Sequence, residues 1–149
     1  MDLKQELYKV CKAFVQNKFE TIEQTIQSNK NALNSETKSS AGDKHETGRA
    51  MLQLEMEKAG QQLKEVQEMQ LQLHKIKLES NTTIVHMGSI VRTNSATYFI
   101  AISKGQIKFN NEQYFAISSQ SPIGQLLLGK RVNDETVFRN QKIRIIEIL

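Results

Sequence analysis

Through the first half of the chain, apolar residues return every three or four positions. Through much of the second half they return every second position. The first set runs Leu3, Leu7, Val10, Phe14, Ile22, Ile26 and Leu33, and the second runs Leu52, Met56, Ala59, Leu63, Val66, Met69, Leu73 and Ile76. Such spacing places one apolar stripe on each of two helices. It predicts a first helix from Leu3 to about Glu36 and a second from about Asp43 to about Glu79. Asn29, Asn31 and Asn34 weaken the first toward its end, and Gly48 and Gly60 weaken the second by roughly 1 kcal/mol each against alanine. Ser39-Ser40-Ala41-Gly42 between them is small, polar and turn-like. Two stripes in one chain bury each other most simply as an antiparallel helical hairpin. Helices of roughly 35 residues would set its tip on the order of 50 Å from the base.

Ser80-Asn81-Thr82 ends the helical pattern and marks the expected boundary between a hairpin domain, 1–80, and a second domain, 81–149. Strand-like runs follow at Thr83–Val85, Ser89–Val91, Thr97–Ile102, Gln113–Ile117 and Lys142–Ile148. Between the last two, Ser121 suits an N-cap, Pro122 a first helical position, and Gly129 a left-handed stop. The expected architecture is α+β: an antiparallel two-helix coiled-coil hairpin, then a small, half-open antiparallel sheet covering one short helix. That helix adds Ile123, Leu126 and Leu127 to a modest core.

The chain has 149 residues, of which 38% are hydrophobic. No run of eighteen apolar residues and no signal-like region occurs, which predicts a cytoplasmic protein with no membrane partner. Residues 1–80 hold twelve basic and twelve acidic side chains, whereas residues 81–149 hold eight and four, so the whole net charge of +4 lies in the second domain. A basic domain is drawn to an acidic protein face or to nucleic acid, DNA included. No arginine run, zinc spacing or stacking aromatic pair points to direct sequence reading. The single cysteine, Cys11, excludes an internal disulfide and reads as a packing thiol.

The candidate chemistry centres on Asp43 and Glu46, three residues apart where the second helix begins. An acid at an N-cap with another three positions on resembles a capping box, and both charges sit at the positive end of the helix dipole. The same pair offers two oxygen ligands to a hard cation such as Mg²⁺, too few to hold it without ligands from elsewhere. The two readings are compatible. Lys38, Lys44 and Arg49 surround the pair and suit RNA phosphates or, equally, a solvated helix end. His45 is placed to make the tip pH-sensitive. His74 and His86 lack the partners of a metal site. Tyr98-Phe99 and Tyr114-Phe115 each split between two faces of a strand, one member to the core. No nucleophilic triad and no phosphate-cradling glycine loop appears.

Taken in order, the long N-terminal hairpin, Gly42-Asp43-Lys44-His45-Glu46 at its tip, Gly88-Ser89-x-Val91, Ser121-Pro122-Ile123 and Leu127-Leu128-Gly129-Lys130 resemble the Gre family of bacterial transcript-cleavage factors. The resemblance spans essentially the whole chain. It implies a transcription elongation factor with an FKBP-like second domain that docks on RNA polymerase through Ser121, Pro122 and Ile123. It also implies that Asp43 and Glu46 help the polymerase's own Mg²⁺ hydrolyse the 3′ end of backtracked nascent RNA by two-metal chemistry. No cofactor is bound by such a factor alone, and it is a monomer that is not itself an enzyme. The tip carries His45 where the family usually has Ser and Thr47 where it usually has Asn, and Gln120 stands where an acid often precedes Ser-Pro. Two other readings remain: a secondary-channel regulator of the same fold that does not cleave, and a scaffold that self-associates through its hairpin.

Overall fold

The computed structural model describes residues 2–38, 43–79 and 82–149; for 36–38 and 43–45 it describes the backbone alone. Two long helices, α1 (Leu3–Lys38) and α2 (Asp43–His74), precede six strands and a short third helix. The strands are β1 (Ile90–Thr93), β2 (Thr97–Ala101), β3 (Gly105–Phe109), β4 (Glu112–Ser118), β5 (Glu135–Phe138) and β6 (Gln141–Ile148), with α3 (Pro122–Leu127) between β4 and β5. The α+β architecture read from the sequence is thus present, with a helix pair first and a mostly antiparallel sheet after it. Among the described residues, no helix is long and apolar enough to cross a membrane.

The chain divides into two compact units: residues 15–70, and Met1–Phe14 together with Leu71–Leu149. Of the expected boundary residues, Ser80 and Asn81 lie outside the described residues.

Within the helical unit, burial follows a heptad. Val15, Ile22 and Asn29 on α1 and Ala59 and Val66 on α2 are buried at seven-residue steps. The sequence stripe holds on both helices except at Val10, which is exposed; Cys11 and Val15, outside the stripe, are buried.

In the other unit, Asp2 caps α1, its carboxylate accepting from the Lys4 amide at 3.0 Å. The Tyr8 hydroxyl donates to the Leu73 carbonyl at 3.2 Å, which sets the first turns of α1 beside the end of α2. That helix ends at His74, five residues before the expected Glu79. The Ile76 amide turns back to Leu73 in a tighter i→i+3 bond, and the Ile76 side chain lies against Gly88. Gly88 has φ +95°, and a β-carbon there would stand 2.9 Å from Ile76 Cγ2.

The sheet order is β3-β4-β2-β1-β6-β5, antiparallel throughout except for the parallel pair β2–β4. A register shift between Arg92 and Thr93 marks a bulge against β6. Two strands escaped the sequence reading, β3 and β5. Each is half of a two-residue hairpin whose turn residues, Asn110-Asn111 and Arg139-Asn140, all have positive φ. The expected strand at Thr83–Val85 is not one. Val85 instead makes a two-bond bridge, its amide to Lys130 and its carbonyl to Gly129.

Alternation along β1 and β2 explains why the centre of the sheet is buried on both sides. Val91 and Ile100 join Val85, Ile123, Leu127, Ile143 and Ile145 in the core under α3. Ile90, Phe99 and Ala101 face the other way and are fully buried too. Each of these large side chains contributes roughly 1.5–3 kcal/mol by leaving water. Phe99 and Tyr114 take the buried places in their aromatic pairs, while Tyr98 and Phe115 meet on the opposite face with ring centroids 6.3 Å apart.

Candidate functional site

The first candidate site is the interhelix tip. The helix α1 runs to Lys38 and α2 starts at Asp43, so the interruption is short and both acids fall in the first turn of α2. The side chain of Glu46 is exposed, as is that of Arg49. The side chains of Lys38, Asp43, Lys44 and His45 lie outside the described residues, as do Ser39 to Gly42 altogether. Among the described residues no cluster of three or more His, Cys, Asp or Glu side chains is placed to hold a metal. His74 is exposed at the end of α2, and the Nδ1 of His86 lies 2.8 Å from the Ser89 hydroxyl.

The second candidate is the Ser121 loop, and here the chain is tightly determined. The Ser121 hydroxyl donates to the Ser118 carbonyl at 2.6 Å and accepts from the Gly124 amide at 3.1 Å. Its own amide also donates to Ser118 O, and the Gln120 amide is held by the Ser118 hydroxyl. Ser121 is extended, with φ −67° and ψ 158°, and caps α3 as the sequence implied. Pro122 follows at the first helical position and is exposed. Ile123 is buried with Leu127 in the core. Of the three residues assigned to docking, Pro122 therefore presents the surface, Ser121 shapes the loop, and Ile123 anchors it from below. Gly124 went unremarked in the sequence: it packs so closely on Ser118 that no larger residue fits. At the far end the Leu128 amide bonds Gly124 O, and Gly129 takes φ +79°, as its predicted left-handed stop requires.

A third cluster has no counterpart in the sequence reading. Arg92 on β1 meets Glu112 through Nη1 and Glu147 through Nε, both at 2.9 Å, and lies over the Tyr114 ring. The hydrogen bond from Arg92 holds the Glu112 carboxyl below its ordinary range, helped by one from the Tyr114 hydroxyl. Arg92 thereby ties two carboxylates together, as befits a surface brace for β1, β4 and β6. Near the start of α1, Lys104 stands 5.4 Å from the centroid of the Phe14 ring. Cys11 is fully buried, and desolvation pushes its thiol up to about 12, consistent with packing and not reactivity.

No family model matches the chain, and no curated protein matches it significantly.

Proposed function

We propose that this chain is a Gre-like transcription elongation factor, acting in the bacterial cytoplasm on RNA polymerase. The observation that carries the reading is the joining of two long helices across residues 39–42, with Asp43 and Glu46 in the first turn of the second. In this reading the helix pair carries the two carboxylates into the polymerase's secondary channel. There they share the second catalytic Mg²⁺ with the polymerase's own ligands and orient the attacking water, so that the enzyme cleaves the extruded 3′ end of backtracked RNA. The factor binds no metal by itself and turns nothing over; it acts as a monomer. Lys38, Lys44 and Arg49 supply cations near the RNA phosphates. The rigid Ser121-Pro122 loop, supported by Ile123, docks the FKBP-like sheet domain on the polymerase.

A second reading is favoured by Lys44 and His45, which place positive charge in sequence between the two acids. The lysine, and the histidine to the extent that it is charged, compete with Mg²⁺ for the carboxylates. A factor that enters the channel without supporting cleavage would then regulate nucleotide entry. The deciding experiment is RNA release from purified, backtracked elongation complexes in Mg²⁺, with and without the protein. Faster appearance of short 3′ fragments, lost in Asp43→Ala/Glu46→Ala, supports the cleavage factor. Binding with no acceleration supports the regulator, and no binding removes both.

A further inference from the structure

The heptad of the helical unit has a polar end. On α1 the buried series Val15, Ile22, Asn29 closes on an amide, and Asn29 is 7% exposed. Its Nδ2 has no hydrogen-bond partner among the described residues. On α2 the matching series, read toward the tip, is Val66, Ala59 and then Leu52, which is only half-buried. Of the side chains described at 30–35 and 46–58, none is buried, and Met51 and Leu54 are 60% and 65% exposed. Leu33, Leu52 and Met56 remain half-buried.

Helices are held mainly by packing of an apolar face, not by propensity. The outer stretch has little such packing, and it carries Asn31, Asn34 and Gly48, all weak helix formers. A buried amide donor without a partner adds a desolvation penalty. A single polar residue in a coiled-coil core is known to fix register at a cost in stability. We infer that Asn29 divides the helix pair into an apolar-cored inner part, Val15–Ile22 with Ala59–Val66, and an outer part, 30–35 with 46–58, that opens independently. The device is intrinsic to the chain and does not depend on the proposed function. Local opening of this kind belongs to the low-stability end of a protein's cooperative units.

Amide exchange on the full-length protein tests it. In the native protein, amides of 30–35 and 46–58 are expected to exchange at least ~10-fold faster than those of 15–22 and 59–66 after correction for intrinsic rates. Replacing the amide by an apolar side chain, Asn29→Leu, is expected to slow the outer amides by ~10-fold or more and to leave the sheet amides unchanged. Equal protection of inner and outer amides in the native protein would overturn the inference. So would an Asn29→Leu protein that folds with outer rates unaltered. Because the native gradient decides by itself, a variant that fails to fold does not protect the idea.

Discussion

Gly124 backs directly onto the carbonyl oxygen of Ser118, and a methyl group at Gly124 has nowhere to go. The same carbonyl accepts from the Ser121 hydroxyl, so the neighbour cannot retreat without breaking that bond. Gly124→Ala should therefore destabilise the sheet unit by about 1–3 kcal/mol, the usual range for overpacking. Ser121→Ala, which removes the cap, should cost about 1 kcal/mol. Urea melts monitored by a probe in the sheet unit would measure both. A neutral Gly124→Ala would mean that the loop is not clamped as described.

If the tip acids act in cleavage, Asp43→Ala and Glu46→Ala should each reduce RNA release from backtracked complexes at least ~10-fold, a loss of ~1.4 kcal/mol or more of transition-state stabilisation. Polymerase affinity should be unchanged. Pro122→Ala should do the reverse, weakening binding while saturating protein restores the rate. Rate and affinity lost together in the acid variants would point to a structural role for the pair.

The Cys11 thiol gives a pH signature. It is pushed up to about 12 in the folded protein, against 9.0 ordinarily. A group whose folded value is raised stabilises fully below its unfolded value and loses that contribution as pH rises. Stability should thus decline between about pH 9 and 12, with a slope approaching roughly 1.4 kcal/mol per unit from this group. The contribution is isolated by comparison with Cys11→Ala, whose profile should be flatter. Below pH 8 the buried thiol should resist a disulfide reagent until urea unfolds the chain.

Gly88 should tolerate no side chain. With φ +95° and Ile76 Cγ2 in the way, Gly88→Ala meets both backbone strain and a clash. A loss of about 1–3 kcal/mol is expected. Adding Ile76→Ala relieves the clash but not the strain, so the double variant should recover only part. Full recovery in a thermal melt would show that φ at this position is not constrained.

What could be read from the sequence follows the length of each signal. Two helices with long periodic stripes and four strands of β-branched and aromatic residues were legible, as was the Ser121-Pro122 cap. The burial of Cys11 in place of Val10 was not, because both are apolar enough to be buried and neighbouring segments, not local pattern, decide between them. β3 and β5 were missed because neither is strongly hydrophobic. A stronger signal lay in the turns, Asn110-Asn111 above all, since adjacent asparagines suit the left-handed pair that a tight hairpin needs. Thr83–Val85 has strand composition yet supplies only a single bridge, since bond partners from residues 129–130 are not visible in local sequence. At the candidate site, the sequence supplied the residue types and their helix-start position. It gave no sign of Gly124 or of the Arg92 brace, both of which depend on contacts between distant or folded-back segments.

The membership of Met1–Phe14 and Leu71–His74 in the sheet unit has a consequence for how the molecule assembles. That unit is interrupted in sequence by everything from Val15 to Gln70, so its two parts must find each other across a long intervening segment. Closing so large a loop as free coil is entropically costly, whereas a zipped helix pair delivers both ends side by side. Helix pairing is local and fast, and β6, which inserts between β1 and β5, is the last strand in chain order. On this topology the helix pair is expected to form first and to act as a folding jig. An interruption of this kind can also be lengthened or shortened by matched heptads without altering a residue of the sheet.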